Sequence, residues 1–339
     1  MLFRNALRLL MENFKNVYKI LLYQILVTVV ASALWCALIL PEVKSLLDHE
    51  ITQELLKQAQ ALFTSFFAAD GAGIAAAKDQ IFGANGLLTG LMEVIASKAT
   101  SIVLTIIGCV AVYLVKRIAE TLCYFSVGNM LNDKMSTYAE TPFSASFASS
   151  LGKACRYALL YVPAVFVFDV FTIFLVLVLF MMTGLLPSLF FSVLIIVLMQ
   201  SLKLSFTGRW MPALTNGATL REAIKGGDKV EKRVRFRIYT TYVVTVYLII
   251  IVNAMSAICT FGSALLITVP ASFLLLICMQ FVNYYTVKGK KYFLTYDKIA
   301  YAPDRGDREH FFEYIDETAP ETAAQDAKDE EKENKTENV

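Results

Sequence analysis

YALLYVPAVFVFDVFTIFLVLVLFMMTGLLPSLFFSVLIIVLMQSLKLSF, residues 157–206, decides the fold. Its only charged residues are Asp169 and Lys203. A bilayer span needs about 20 mostly apolar residues to cross roughly 30 Å of hydrocarbon at 1.5 Å per residue. The stretch holds two such spans, Tyr157–Met182 and Leu189–Phe206, and the TGLLPS link between them forces a helical hairpin.

Working outward, four more spans appear: Val17–Leu40, Thr100–Val115, Ile238–Thr260 and Ala264–Val287. The last two are joined by FGS and form a second hairpin. The Thr100 span is the shortest, because Lys116 and Arg117 follow it. It can be completed backwards through Leu87–Ser97 or forwards through TLCYFSVGNML. One long helix is expected, with the Lys-Arg pair snorkelling to the membrane surface. Composition agrees. Of the 339 residues, 57% are hydrophobic and 18% charged, against about 45–50% and 25% in soluble domains; mean hydropathy is +0.56. The expectation is an all-α polytopic membrane protein with six transmembrane helices.

Lysine and arginine set the orientation. Arg4, Arg8, Lys15 and Lys19 lie in the N-terminal segment, before or at the very start of span one; Lys116, Arg117, Lys134, Lys153 and Arg156 lie between spans two and three. Arg209, Arg221, Lys225, Lys229, Lys232, Arg233, Arg235 and Arg237 lie between spans four and five, and Lys288, Lys290 and Lys291 follow span six. The hairpin links carry no charge, and the loop after span one has four lysines against seven acids. Both termini are therefore expected in the cytoplasm of a cell (inner or plasma) membrane protein. Ala31-Ser32-Ala33 resembles a signal cleavage site, but the apolar run continues to Pro41, so an uncleaved first span is expected.

The chain divides into residues 1–40, an extracytoplasmic helical loop 41–99, spans two to six over 100–287, an aromatic and basic segment 288–315, and an acidic tail 316–339. In the loop, Leu47, Ile51, Leu55, Ala59, Leu62 and Phe66 recur at helical spacing, which predicts a helix over 42–68. DGAG and FGANG break it, and Leu87, Leu88, Leu91, Met92 and Ile95 lead into span two. Two helical arms result, packed on each other, on a membrane-protein partner or on the lipid surface; the loop lacks the basic face that usually accompanies the last. Gly86-x-x-x-Gly90 suits close helix packing. The connections 141–162 and 218–244 look related: an apolar i,i+4 pair (Phe143/Phe147, Leu220/Ile224), a break (Ser149-Ser150, Gly226-Gly227), then a basic and an aromatic residue before the next span. They predict a span–interfacial helix–span unit occurring twice. From Asp316 nine acids face three lysines, a net charge of −6 that leaves +8 on residues 1–315 of a chain whose total is +2. That tail is expected to be disordered. The basic face suits anionic lipid headgroups in the surrounding bilayer; nucleic acid is not an expected partner.

Catalytic signatures are missing. The two histidines, His49 and His310, fall on opposite sides of the expected topology, GGDK at 226–229 lacks phosphate-loop spacing, and no cysteine pair has metal or redox spacing. No cofactor, metal or catalytic residue is expected. Asp169 stands out, because an acid at mid-span costs several kcal/mol unless paired, protonated or wet. Either it forms a proton- or cation-coupled site, or it is structural and bonded to Thr172, Asn253, Ser256 or another polar group; Lys203 is the nearest candidate cation. Gln200/Lys203, Asn253/Ser256 and Gln280/Asn283 are pairs three residues apart, each on one helix face. Together with Asp169 they make a candidate intramembrane polar site among spans three to six.

Within TGRWMPALTNGATLREAIKGGDKVEKRVRFRIY, residues 207–239, lie Arg209-Trp210, Pro212, Gly217, Glu222-Ala223 and the basic run Arg233–Arg237. This pattern resembles the membrane domain fused to some glycerophosphodiester phosphodiesterases and its free-standing bacterial relatives. The resemblance implies a six-span architecture with repeated interfacial segments. No phosphodiesterase barrel accompanies it here, so the family's catalysis is not carried over. Two functions are expected to compete: a non-enzymatic accessory or scaffold protein, and a transporter or lipid-handling protein using Asp169.

Overall fold

The computed structural model describes residues 2–68, 70–83, 86–183, 185–225, 232–295 and 298–300. Residues 301–339, with the expected acidic tail, lie outside them, as do Lys229 and the side chains of Lys232 and Arg233. The described chain is all-α apart from one small hairpin: α1 (Leu2–Glu12), α2 (Lys15–Leu47), α3 (Glu50–Phe67), α4 (Gly71–Phe82), α5 (Leu87–Ser97), α6 (Ala99–Thr137), α7 (Phe143–Thr183), α8 (Leu185–Thr207), α9 (Trp210–Thr215), α10 (Leu220–Lys225), α11 (Lys232–Cys259), α12 (Leu265–Val287), β1 (Tyr292–Thr295) and β2 (Lys298–Ala300). Six helices are long and apolar enough to cross a membrane: α2, α6, α7, α8, α11 and α12. Four contain their expected spans, and α11 and α12 match theirs to within one residue, ending at Cys259 and beginning at Leu265. Most run well past the expected span, because helical hydrogen bonds are local and do not stop where the hydrocarbon stops. At 39 residues α6 is about 58 Å long; it completes its span forwards through Lys116-Arg117, and Leu87–Ser97 is the separate helix α5.

The chain forms two compact units, Met1–Gln24 with Glu120–Val339, and Ile25–Ala119. In the first, the core is built around α12. Leu274, Cys278, Met279, Phe281 and Val282 are fully buried there, against Phe125, Leu131 and Met135 of α6, Tyr242 of α11, Met211 of α9 and Leu9 of α1. The aromatic segment after span six docks on the chain itself. Tyr292 pairs with Ala300 across the antiparallel hairpin; its hydroxyl accepts from Asn5 Nδ2 at 3.0 Å, and its ring meets Tyr285 at 5.7 Å.

The two connections expected to repeat are built differently. The helix α7 runs unbroken through Ser149-Ser150, so the first interfacial segment is simply the start of that helix. Its serines serve packing instead. Ser146 Oγ donates to the Ser126 carbonyl of α6 at 2.9 Å, Asn129 Nδ2 donates to Ser146 Oγ at 3.3 Å, and the Ser126 and Ser150 hydroxyls lie 3.5 Å apart. In the second connection, 218–244, the Leu220/Ile224 pair lies on the short helix α10, just after the short helix α9, and the expected Gly226-Gly227 break lies outside the described residues. Gly217, at φ +89°, ends α9: its N–H meets the Leu214 carbonyl at 3.2 Å and that of Ala218 meets the Ala213 carbonyl at 3.0 Å, a Schellman cap that needs the left-handed region open to glycine. Thr219 and Glu222 then form a reciprocal capping box at the start of α10, at 2.9 and 3.3 Å. Those bonds hold the Glu222 carboxyl below its ordinary pKa.

The second unit holds α3, α4 and α5 between the 25–47 part of α2 and the 99–119 part of α6. The helix expected over 42–68 is split: residues 42–47 belong to α2, which runs through Pro41, and α3 begins at Glu50. The loop folds as three helices rather than two arms, since the segment between the glycine-rich breaks is itself α4. Of the expected Gly-x-x-x-Gly pair, Gly90 does pack closely: a Cβ there would lie 3.3 Å from Ile51. Gly86 is a turn residue instead, where a Cβ would meet three backbone atoms within 2.9 Å. Trp35 Nε1 donates to the Cys109 carbonyl at 3.1 Å, and Lys116 lies 6.0 Å from the Trp35 ring.

Candidate functional site

The hairpin of α7 and α8 turns between Thr183 and Leu185, so residues equally far from those helix ends come level. Asp169 lies 14 residues before Thr183 and Gln200 lies 15 after Leu185, both about 21–23 Å down the hairpin. Lys203 is nearly one turn deeper. Side chains on a helix lean toward its N-terminus, and because the two helices are antiparallel, Asp169 leans toward Lys203 and Lys203 leans back. The gap closes. Lys203 Nζ donates to Asp169 Oδ1 at 2.9 Å and Gln200 Nε2 donates to the same oxygen at 3.2 Å. The side chains of Lys203 and Asp169 are only 10% and 17% exposed. An isolated charge at mid-span costs about 2.5–3.5 kcal/mol on insertion scales; as a hydrogen-bonded pair the two carry no net charge into the membrane.

The other expected members of the polar site lie elsewhere. Thr172, an expected partner of Asp169, donates instead to the Phe168 carbonyl at 2.7 Å. Asn253 of α11 donates to Ser272 Oγ of α12 at 3.2 Å. The carbonyl of Ser256 accepts from Thr260 Oγ1 at 2.6 Å, near the end of α11. Gln280 and Asn283 are buried on α12, Asn283 beside Tyr242 of α11. Gly208 makes room for that phenol: a Cβ there would lie 2.9 Å from Tyr242 Oη and 3.4 Å from Gln280 Cγ. Among the described residues, no hydrogen bond of good geometry reaches Gln280 Oε1 or the Asn283 amide. The seven residues thus occupy several locations, and the strongest constellation is Asp169, Gln200 and Lys203.

Of the basic face, Arg221 and Lys225 are exposed on α10, and Arg235 and Arg237 at the start of α11. Arg209 leads into α9. Beneath them Met211, Pro212, Ala213, Leu214 and Ala223 are buried, so the elbow of α9 and α10 is anchored by its apolar side while its cations face out.

Two polar nodes had no sequence signal, because each joins residues more than 80 positions apart. In one, Glu12 Oε1 accepts from Lys134 Nζ at 3.2 Å and Tyr138 Oη at 3.0 Å. The hydrogen bond from Lys134, then that from Tyr138, holds the Glu12 carboxyl below its ordinary pKa. Tyr138 sits at φ +55°, a conformation costing about 1–2 kcal/mol for a residue with a Cβ; its ring packs on Phe293 at 5.7 Å and lies 5.3 Å from Lys134 Nζ. In the other, Asn132 Oδ1 accepts from Asn216 Nδ2 at 2.8 Å and Tyr285 Oη at 3.1 Å, and Asn216 Oδ1 accepts from Lys290 at 3.3 Å. Compared with protein-family models, with curated proteins and with solved structures, the chain finds no match.

Proposed function

We propose that this membrane protein is a non-enzymatic accessory or scaffold component of a cell membrane, with both termini in the cytoplasm. The observation that carries this reading is the Asp169–Lys203 pair. The one acid deep in the α7–α8 hairpin is bonded to a lysine and a glutamine of the adjoining helix, as in a staple holding two helices in register. The basic elbow would face anionic lipid, and the three-helix segment 50–97 would offer the surface for a membrane-protein partner.

A second reading, a transporter or lipid-handling protein, is favoured by buried Gln280, whose Oε1 finds no hydrogen-bond partner among the described residues, next to buried Asn283, which lies beside the Tyr242 hydroxyl. Reconstituted protein separates the two. For a scaffold, Asp169→Asn weakens the fold by leaving Lys203 without its counter-charge, while Asp169→Leu with Lys203→Leu restores stability and leaves a co-purifying partner bound. A double variant that folds normally yet abolishes a pH-dependent flux of ions or lipid would overturn the scaffold reading.

A further inference from the structure

We infer that the acidic segment 316–339 occupies the basic elbow of its own chain and competes there with anionic lipid. The inference rests on the proposed role of that elbow as a lipid surface. Charge complementarity carries it. The segment bears nine acids against three lysines, and the elbow presents Arg221 and Lys225, exposed and four residues apart on α10; Arg235 of α11 and Lys153 and Arg156 of α7, the helix that α9 touches, are exposed as well. Among the described residues of α9 and α10 the acid is Glu222, turned back onto Thr219 by its capping bonds; Asp228 and Glu231 follow in the sequence before Arg235.

Connectivity places the segment within reach. The strand β1 packs on α1, and α1 in turn touches α11 and α12; α9 touches α12 and α7. The chain therefore reaches Ala300 at the end of the bundle that carries the elbow. From Ala300 to Asp316 the chain can extend up to about 50 Å, and a tethered segment acts at an effective concentration of order millimolar. Lipid phosphates and tail carboxylates would meet the same guanidinium and ammonium groups, so one excludes the other, and salt weakens both within a Debye length of about 10 Å at 0.1 M.

The test uses the full chain in nanodiscs of phosphatidylcholine doped with fluorescent phosphatidylglycerol. Beside it runs a variant with the nine acids of 316–339 changed to Asn and Gln. The variant is expected to enrich phosphatidylglycerol roughly three- to tenfold more strongly at low salt, the difference vanishing near 0.5 M NaCl. In parallel, zero-length carbodiimide coupling of the unaltered chain should join tail carboxylates to Lys225 or Lys153 within one molecule. Equal enrichment by both chains overturns the competition while leaving the lipid surface intact. Absence of any preference for phosphatidylglycerol in both overturns the lipid reading and the competition with it. Coupling found only between molecules overturns the intramolecular contact.

Discussion

The helices α12 and α6 are nearly equal in hydropathy over their span windows, 2.3 and 2.1, yet half of the α12 window is buried within the protein and none of the α6 window is. Hydropathy reports that a helix can sit in a membrane; it does not report whether lipid or protein surrounds it, because both are apolar. The visible difference lies in the other residues. The buried part of α12 carries Gln280, Asn283, Tyr284, Tyr285 and Thr286, whereas the α6 window reads almost entirely as aliphatic and small residues up to Lys116. In α12 those polar and aromatic groups lie on its buried part, whereas Phe174 and Phe190 of α7 and α8 are exposed, so aromatic content alone does not mark a protein-facing side.

The largest test of that contrast is truncation on each helix. Phe281→Ala removes a fully buried ring and should cost about 3–5 kcal/mol, whereas Ile106→Ala, at a site 56% exposed, should stay within about 0.5 kcal/mol; steric-trap unfolding in bicelles reads both. Next comes Asp169→Asn, which removes the counter-charge of Lys203 and should lower stability by about 2.5–3.5 kcal/mol, with the double variant Asp169→Leu, Lys203→Leu recovering most of it. A double variant as weak as the single one would mean that the pair does more than neutralise itself. Glycines give a smaller contrast. Gly208→Ala would bring a Cβ to 2.5 Å from the Leu204 carbonyl oxygen and 2.9 Å from Tyr242 Oη and should destabilise by about 1–3 kcal/mol, while Gly152→Ala in α7, with nothing within 4 Å, should stabilise by up to about 1 kcal/mol. The smallest effect is acidic. Because the folded state depresses the Glu12 pKa below 4.5, its contribution is complete above that value and is lost as pH falls through the depressed one. Glu12→Gln should flatten that acid limb of a thermal-stability profile and leave the neutral region level.

Legibility followed the range of the interaction. Asp169 was readable because one acid interrupts a long apolar run, and its partner was nearly so: the short link sets the hairpin register, which brings Gln200 level and Lys203 within reach. Asn253, Ser256, Gln280 and Asn283 were equally conspicuous, but polarity alone does not say which way a helix is turned, and the fold spreads them over separate contacts. Ser149-Ser150 suggested a break, yet α7 runs on through them: Ser149 bonds back to the Ser146 carbonyl of its own helix, and Ser150, like Ser146, meets Ser126 of α6.

By itself the sequence determined six spans and two tight hairpins, which depend on partition into hydrocarbon and on links only a few residues long. Only the tertiary structure decided that α12 is the core, that Glu12 meets Lys134 and Tyr138, and that the segment after span six folds back on α1. Those contacts join residues separated by more than a hundred positions, and packing rather than local preference selects them.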